Sequence, residues 1–232
     1  MILTTAEFEQ IRQGLKATQK SIAEALQEGD RPANTVTLLA VSKTQPADKL
    51  RYAYSLGQTA FGENYLQEAR LKQQSLADLP LVWHFIGPIQ SNKTREIAVH
   101  FDWVHSVDRF KIAKRLSRHR PGELPPMNIC LQVNLDAEDT KAGVSLDELP
   151  HLIERVAELP RLALRGLMAI PAPRKSYSQQ LAIFRKLAAV KSAYTAMDSL
   201  SMGMSGDMRA AIVAGATIVR IGTAIFGQRR VQ

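Results

Sequence analysis

The sequence has little cysteine and no long apolar run. Its 232 residues contain one cysteine, Cys130, so no disulfide can form within the chain. No apolar run approaches the roughly 20 residues that span a bilayer, and residues 1–20 lack the apolar centre of a signal peptide. We therefore expect a cytoplasmic protein without a membrane segment, in which Cys130 is a buried, unreactive thiol.

Several motifs that identify common sites are also missing. The chain has no Walker motif, no GxGxxG sequence and no pattern typical of a Ser-His-Asp triad. His100 and His105 are five residues apart, across the predicted end of a helix and a strand, and they need not face each other. We therefore predict no metal site.

Acidic residues are outnumbered by basic ones, 22 to 30, which gives a formal net charge of +8. Much of the excess lies in residues 109–120, where apolar residues recur at helical spacing. We interpret this segment as an amphipathic helix whose bases form a solvated face. Nucleic-acid binding is the alternative, but no aromatic-studded basic strand or helix-turn-helix pattern lies nearby. We expect no nucleic-acid partner.

Short apolar runs alternate with helical patterns along the chain. A first helix is predicted at 5–28, with Thr4 or Thr5 as its N-cap. Eight strands are predicted at 37–42, 60–62, 82–86, 103–106, 127–135, 164–168, 199–202 and 218–221. Helices are predicted between them at 47–56, 66–79, 91–99, 109–118, 147–158, 177–194 and 208–214. This rhythm favours an α/β fold, a single (β/α)8 TIM barrel with an extra N-terminal helix; a doubly wound sheet is the alternative.

A lysine follows the first predicted strand. Residues 37–42 read TLLAVS, a run typical of a strand buried in a parallel sheet, and Lys43 comes next. Functional groups in α/β folds gather at this end of the strands. A poorly hydrated lysine amine loses its proton more readily and can attack a carbonyl, so Lys43 is a candidate Schiff-base residue. The alternative is a structural lysine whose ammonium reaches solvent.

Small residues follow the seventh and eighth strands, where TIM barrels commonly bind phosphate. The seventh loop contains Ser205 and Gly206, and the eighth contains Gly222 and Thr223. Backbone N–H groups beside small residues can approach an anion closely, and the two hydroxyls add further donors. The two loops together predict a phosphate site.

Arg220 lies inside the otherwise apolar eighth strand, where its charge needs a partner. An ion pair with Asp207 or Glu63 and a contact with a ligand are both open. A lysine amine, a phosphate site and an arginine together fit pyridoxal 5′-phosphate (PLP) better than other common cofactors. An arginine at the ring nitrogen would keep that nitrogen unprotonated, which favours holding of the cofactor or restrained chemistry.

Other polar residues at strand ends have open roles. Asn64 and His84 are candidates for contacting a flat ring or holding Lys43, and a purely structural role is the alternative for each. Three methionines near the seventh strand are interpreted as core residues, namely Met202, Met204 and Met208.

Six segments of the sequence carry a resemblance to a known family. They are TLLAVSKT (37–44), FGENY (61–65), WHFIGPIQSNK (83–93), GLMAI (166–170), SMGMS (201–205) and VRIGTAIFG (219–227). In this order they resemble the pyridoxal phosphate homeostasis protein family, which is similar in fold to the N-terminal barrel of alanine racemase. The resemblance covers nearly the whole chain.

The resemblance implies one PLP-binding domain over 1–232, with the helix in 1–30 and the barrel in 36–227. It implies that the cofactor is an aldimine of Lys43, with the phosphate on the loops at 205–206 and 222–223 and Arg220 near the pyridine nitrogen. Asn64, Met168 and Ser201 are implied to line the pocket. Lys141 matches a lysine typical of the family, as a second cofactor contact or a solvated loop residue. The tail, 228–232, lacks the terminal lysines of some relatives.

Family members bind PLP, take part in vitamin B6 and amino-acid homeostasis and have no established turnover. The resemblance therefore implies a PLP-binding protein of intracellular vitamin B6 homeostasis, not an enzyme, and we expect a monomer with PLP-dependent apo-enzymes as candidate partners. The alternative is a PLP-dependent amino-acid racemase. Racemisation needs a second base on the opposite face of the substrate. In alanine racemase a tyrosine of a C-terminal β domain supplies it, and this chain ends with its barrel, which favours the carrier.

Overall fold

A computed structural model describes residues 3–136 and 142–228 as a closed barrel of parallel strands. Strand β1 pairs with β2 on one side and with β8 on the other, and every other strand pairs with its neighbours in chain order. The strands are β1 (Thr37–Val41), β2 (Ala60–Glu63), β3 (Val82–Phe85), β4 (Trp103–Val107), β5 (Met127–Gln132), β6 (Leu162–Met168), β7 (Ser199–Ser201) and β8 (Ile218–Ile221). The predicted α/β TIM barrel is confirmed, and the β1–β8 pairing excludes a doubly wound sheet.

A helix precedes the barrel and further helices follow its strands. They are α1 (Thr5–Glu28), α2 (Ala47–Ser55), α3 (Leu66–Ser75), α4 (Thr94–His100), α5 (Phe110–His119), α6 (Leu149–Ala157), α7 (Tyr177–Ser192), α8 (Met208–Val213) and α9 (Thr223–Phe226), and a 3-10 turn at Ser91–Lys93 leads into α4. The short α9 has no counterpart in the sequence prediction. Strand β5 ends three residues before its predicted end, where Val133 forms an isolated bridge with Val144.

The N-terminal helix begins with a capping box, which confirms Thr4 as its N-cap. The Thr4 hydroxyl accepts from the Glu7 N–H, and the Glu7 carboxylate accepts from the Thr4 N–H at 3.0 Å. One face of α1 is buried, through residues at helical spacing that include Ile11, Leu15 and Ile22. This face attaches α1 to the barrel next to α8 and α9, the helices that follow β7 and β8.

Gly14 allows α1 to approach α9 closely. A Cβ at this position would lie 2.3 Å from the backbone oxygen of Ala224 and 2.8 Å from the Cα of Ile225. Because these are backbone atoms, they cannot move aside as a flexible side chain would. We expect Gly14→Ala to lower the free energy of unfolding by about 2 kcal/mol, despite the better helix propensity of alanine. Urea unfolding measures this change. The control Gly122→Ala places its Cβ in open space and is expected to change stability by less than about 0.5 kcal/mol. Equal stabilities of the two variants would contradict the close packing.

Helix α5 confirms the amphipathic prediction for residues 109–118 and corrects one part of it. Ile112, Ala113 and Leu116 are buried, whereas Lys111 and other bases are exposed. Arg120, however, is 4% exposed, and its guanidinium donates to the backbone oxygens of residues 98, 101 and 125. The expectation that all bases form a solvated face is therefore wrong for Arg120, which links the end of α4 to the segment before β5.

Two further expectations concern burial and membranes. Cys130 on β5 is fully buried, and burial raises the pKa of its thiol to about 12, as expected of an unreactive cysteine. Within residues 3–136 and 142–228, no helix has the length and apolar character needed to cross a bilayer.

The carboxyl ends of the eight strands meet at one rim of the barrel, and this rim holds the residues that the sequence singles out.

Candidate functional site

A cavity of about 180 Å³ opens at the carboxyl ends of β1, β2 and β8. It brings together six of the residues predicted from the sequence, namely Lys43, Asn64, Ser205, Arg220, Gly222 and Thr223. They come from four different strand ends, so only barrel closure makes them neighbours. The Lys43 side chain is half-buried there, while Ser205 and Thr223 are exposed at the opening.

Three other predicted residues lie next to the cavity and do not form its surface. Met168 and Ser201 are fully buried, at the ends of β6 and β7. Ser201 supports the cavity from below, because its backbone oxygen and hydroxyl accept from Arg220. Gly206 is exposed and lines a neighbouring cavity between α1, α7 and α8, to which Ser205 also contributes. Lys141 lies outside the described residues.

Sequence reasoning missed several apolar residues of the cavity, including Ile86, Ile170 and Met204. The interpretation of Met204 as a core residue is wrong: it is 40% exposed at the opening, whereas Met202 is fully buried. Ile170 is 42% exposed. Ile86 is the last residue of a predicted strand, and Ile170 and Met204 lie two residues after one, so position at a strand end was the signal that could have identified them. They provide an apolar wall on which a flat ring can pack.

The polar groups of the cavity suit PLP. The side-chain oxygen Oδ1 of Asn64 is buried and has no hydrogen-bond partner among the described residues, so it is available to a ligand. A Cβ at Gly206 would meet nothing within 4 Å, which leaves open space beside the Ser205 loop. Thr223 begins α9, and the first N–H groups of a helix have no acceptor within it. An amide oxygen, two hydroxyl-bearing residues and an amine-bearing lysine thus line one small cavity.

Arg220 is held by the backbone and hydroxyl of neighbouring strands. Its Nη1 donates to the Ser201 backbone oxygen at 2.6 Å and to Ser201 Oγ at 2.8 Å, and its Nη2 donates to the Ala169 oxygen at 2.9 Å. Burial lowers the pKa of Arg220 to about 10, against the favourable charge of Asp207, so the guanidinium remains charged at neutral pH. An ion pair with Glu63 is not formed, because Glu63 contacts Lys72 instead.

A hydrogen-bonded chain continues from Arg220 into the barrel. Ser201 Oγ lies 2.7 Å from His105 Nδ1, and His105 Nε2 lies 2.9 Å from His84 Nδ1. Since the guanidinium only donates, the Ser201 hydroxyl hydrogen is available to His105 Nδ1, and His105 can then donate from Nε2 to His84. His84 stacks on Trp103. His84 therefore has the structural role and does not line the cavity with Lys43.

Burial lowers the pKa of His84 to about 3, and it lowers that of His105 well below its usual value, with the charges of His84 and Arg220 acting in the same direction. Both rings are therefore neutral in the folded protein. Unfolding exposes them to protonation below pH 6.5, so the unfolded state binds more protons there. Their contribution to stability is complete above pH 6.5 and is lost as the pH falls towards 3.

We expect this linkage to be measurable. For His84 the free energy of unfolding should fall by about 1.4 kcal/mol per pH unit below pH 6. His84→Asn keeps an acceptor near the position of Nδ1 and removes this titration. Urea unfolding of both proteins between pH 4.5 and 7.5 should show a shallower slope for the variant. Equal slopes would contradict a buried, neutral His84.

A second groove competes as a candidate site. It measures about 700 Å³ and lies between α1 and the start of β1, lined by residues such as Ile22, Leu26, Arg31 and Val36. The Arg31 guanidinium already donates to the backbone oxygens of Ile212 and Ala216, both at 2.7 Å. This groove lies at the amino ends of the strands, whereas TIM-barrel proteins place their functional residues at the carboxyl ends. The smaller cavity around Lys43 is therefore the candidate site.

The chain is similar to known proteins over most of its length. The family described as alanine racemase, N-terminal domain, matches residues 15–230. The pyridoxal phosphate homeostasis protein of Pseudomonas aeruginosa is 57% identical over 220 residues, which cover 94% of this chain and 96% of that protein. The protein of the same name from Escherichia coli K12 is 50% identical over 226 residues, with 94% and 97% coverage.

Solved structures show the same barrel. PipY of Synechococcus elongatus, solved with PLP bound, is 40% identical with a TM-score of 0.78, over 89% of this chain and 100% of that chain. An alanine racemase from Corynebacterium glutamicum is 17% identical with a TM-score of 0.63, over 92% of this chain and 62% of that chain, a likeness of fold alone. The chain therefore belongs to the alanine racemase N-terminal domain family and, within it, to the pyridoxal phosphate homeostasis proteins.

Proposed function

We propose that this chain binds PLP in the cavity around Lys43 and acts in intracellular vitamin B6 homeostasis. One observation carries the proposal: an amine, an arginine and two phosphate-suited loops line a single small cavity at the rim of the barrel. The PLP-bound structure of PipY, a relative at 40% identity, supports the choice of ligand. The curated relatives are named as homeostasis proteins and not as enzymes, which supports binding as the function.

Different residues of the cavity are proposed to bind different parts of PLP. In our proposal the loops at Ser205-Gly206 and Gly222-Thr223 hold the phosphate, Asn64 offers its orphaned oxygen to a ring donor, and Arg220 approaches the pyridine nitrogen. Arg220 remains charged, and a charged donor disfavours protonation of the nitrogen beside it. The ring is then a weak electron sink, which suits storage better than catalysis. Met168 and Ser201 lie next to the cavity without lining it, and the Ser201 hydroxyl holds Arg220 by accepting its hydrogen bond.

Lys43 makes the covalent bond. Its neutral amine adds to the aldehyde carbon of PLP, a C=N bond forms, and the aldehyde oxygen leaves as water. Hydrolysis by one water reverses the step and returns free PLP, so neither an oxidant nor a reductant is needed. This reversibility allows the protein to store PLP and to release it to PLP-dependent apo-enzymes, which we propose as recipients.

An amino-acid racemase is the alternative function. It requires two bases on opposite faces of the substrate. Among the described residues that line the cavity, Lys43 is the one candidate base: no histidine, tyrosine, cysteine or carboxylate lines it, and Arg220 stays charged. The lining therefore favours a carrier.

The remaining proposals concern the whole chain. We infer one PLP-binding domain over 1–232, with the N-terminal helix in 1–30 and the barrel in 36–227, acting as a monomer in the cytoplasm. Size-exclusion chromatography with light scattering, with and without PLP, tests the monomer. A dimeric mass with or without PLP would overturn it.

Two assays on the same PLP-loaded protein distinguish carrier from racemase. In the first, the loaded protein is mixed with an apo-form of a PLP enzyme, and recovery of that enzyme's activity is expected at one equivalent of carrier. In the second, single enantiomers of amino acids are supplied in excess, and no sustained inversion is expected. Sustained inversion that is lost in Lys43→Ala would contradict the carrier.

A further inference from the structure

Two side chains of helix α3 form hydrogen bonds with the backbone on both sides of Lys43. The ammonium of Lys72 donates to the backbone oxygen of Ser42 at 2.6 Å, which belongs to the peptide group before Lys43. The carboxylate of Glu68 accepts from the N–H of Thr44 at 2.6 Å, which belongs to the peptide group after Lys43. Glu68 and Lys72 are one helical turn apart and contact each other at 2.5 Å. One ion pair therefore holds both peptide groups that flank the lysine, and these contacts of Glu68 and Lys72 are called the grip below.

The turn that contains Lys43 needs such support. The N–H of Gln45 donates to the Ser42 oxygen at 3.0 Å, which makes Ser42–Gln45 a tight turn with Lys43 and Thr44 at its centre. Thr44 has a φ of +64°, in the left-handed region that favours glycine and is unfavourable for a β-branched residue. Such a conformation persists only where surrounding contacts fix it. The Thr44 N–H bond to Glu68 is one of these contacts.

The grip is anchored in the protein interior. Lys72 is 5% exposed, and its ammonium also donates to Glu63 Oε1 at 2.7 Å. The hydroxyl of Ser42 donates to the same carboxylate oxygen at 2.6 Å. Glu63 is fully buried at the end of β2. Strands β1 and β2 and helix α3 are thereby joined under the turn, on the side away from the cavity.

We propose that Glu68 and Lys72 are positioning residues that fix the direction of the Lys43 side chain into the cavity. The inference rests on the proposed attachment of PLP to Lys43. Neither residue lines the cavity, so their effect acts through the backbone of the turn. A displacement of about 1 Å of a reacting group can change a rate about 100-fold. Attachment should therefore be slow without the grip, even with an intact phosphate site and Arg220.

The direct test compares Glu68→Ala with Glu68→Gln. Glu68 is partly exposed, with 29% of its side chain accessible, so the variants should fold. Glutamine keeps an oxygen that accepts from the Thr44 N–H, whereas alanine removes it. We expect the rate of PLP attachment, followed by the visible absorption of the Lys43 adduct, to fall about 10- to 100-fold in Glu68→Ala and to recover in Glu68→Gln. Lys72→Met should slow attachment similarly.

A readout without PLP tests the grip itself. In the ligand-free protein, the Thr44 amide should exchange its hydrogen slowly in the wild type and in Glu68→Gln and quickly in Glu68→Ala. Lys49→Met is the matched control, because Lys49 is also buried and pairs with a glutamate, Glu7, at 3.5 Å, between α2 and α1. It should match the wild type in attachment rate and in Thr44 exchange.

The outcomes separate the two proposals. Absence of attachment in the wild type would overturn the proposed function, while the exchange data would still measure the grip. Wild-type attachment rates in both Glu68→Ala and Lys72→Met would overturn the positioning role. An equal loss in Lys49→Met would also overturn it, because general destabilisation would then explain the effect.

Discussion

The Lys43→Ala variant is expected to lose covalent retention of PLP completely. No C=N bond can form, so the visible absorption of the adduct should be absent and reduction by borohydride should attach nothing to the protein. The phosphate loops and Arg220 remain, and non-covalent binding should persist, weaker by at least about 100-fold, or about 2.7 kcal/mol. Absorption spectroscopy and equilibrium dialysis against PLP measure the two quantities.

Folding should be unaffected by this change. Lys43 lies after the end of β1 and its side chain is half-buried at the rim, so its removal leaves no cavity inside the barrel. Lys111→Ala, on the exposed face of α5, is the control and should retain PLP as the wild type does. A persistent adduct in Lys43→Ala would place the attachment on another lysine.

Arg220→Met is expected to have the second largest effect, on stability and on binding together. The methionine fills much of the same space but donates no hydrogen bonds, so the oxygens of Ser201 and Ala169 lose their contacts with the guanidinium. Among the described residues, the Ala169 oxygen is left without a donor, while the Ser201 oxygen keeps only the Ala169 N–H at 3.2 Å. Hydrogen bonds to a charged group contribute about 1.5–3 kcal/mol each, which predicts a loss of about 2–5 kcal/mol in the free energy of unfolding. Urea unfolding measures it.

The same variant should bind PLP at least about tenfold more weakly, because the positive group proposed to face the ring nitrogen is gone. Arg220→Lys restores a charge but supplies donors from a single atom, and it should have an intermediate stability. Unchanged stability and affinity in Arg220→Met would contradict the assigned hydrogen bonds and the ring contact together.

Much of the fold could be predicted from local patterns. Each strand is a short apolar run, and each helix has its own periodicity, so their order could be predicted without knowledge of the tertiary contacts. Boundaries were less accurate: β5 ends early, where Val133 forms an isolated bridge with Val144, and α9 is a four-residue helix, too short for a periodic signal. Arg120 was misjudged because its acceptors are backbone oxygens on other elements, which no sequence pattern shows.

The residues that line the candidate site could be predicted from the sequence, whereas the hydrogen bonds that hold those residues in place could not. Lys43 and the loops at 205–206 and 222–223 follow strands, and barrel closure brings strand ends together regardless of side-chain detail. The chain from Arg220 through Ser201 to His105 and His84 joins four strands. Such contacts depend on register and side-chain direction, and they emerge only from the structure.

The contacts of Glu63 and Lys72 near Lys43 could not be predicted from the sequence for the same reason. Glu63 was considered as a partner of Arg220 because both are charged residues in apolar strands. In the structure the Glu63 carboxylate instead contacts Lys72 of α3, and Glu63 does not line the cavity. Residues two apart on a strand face one side and adjacent residues face opposite sides, so a shift of one position changes the partner completely.

Identification of the lysine that carries PLP tests the proposed attachment to Lys43 most directly. The purified protein is incubated with PLP, reduced with borohydride and digested, and the modified peptides are mapped by mass spectrometry. We expect one phosphopyridoxyl group per chain, on the peptide that contains Lys43, with Lys141 and the surface lysines unmodified at one equivalent of PLP. Modification centred on any other lysine, or no modification at all, would contradict it.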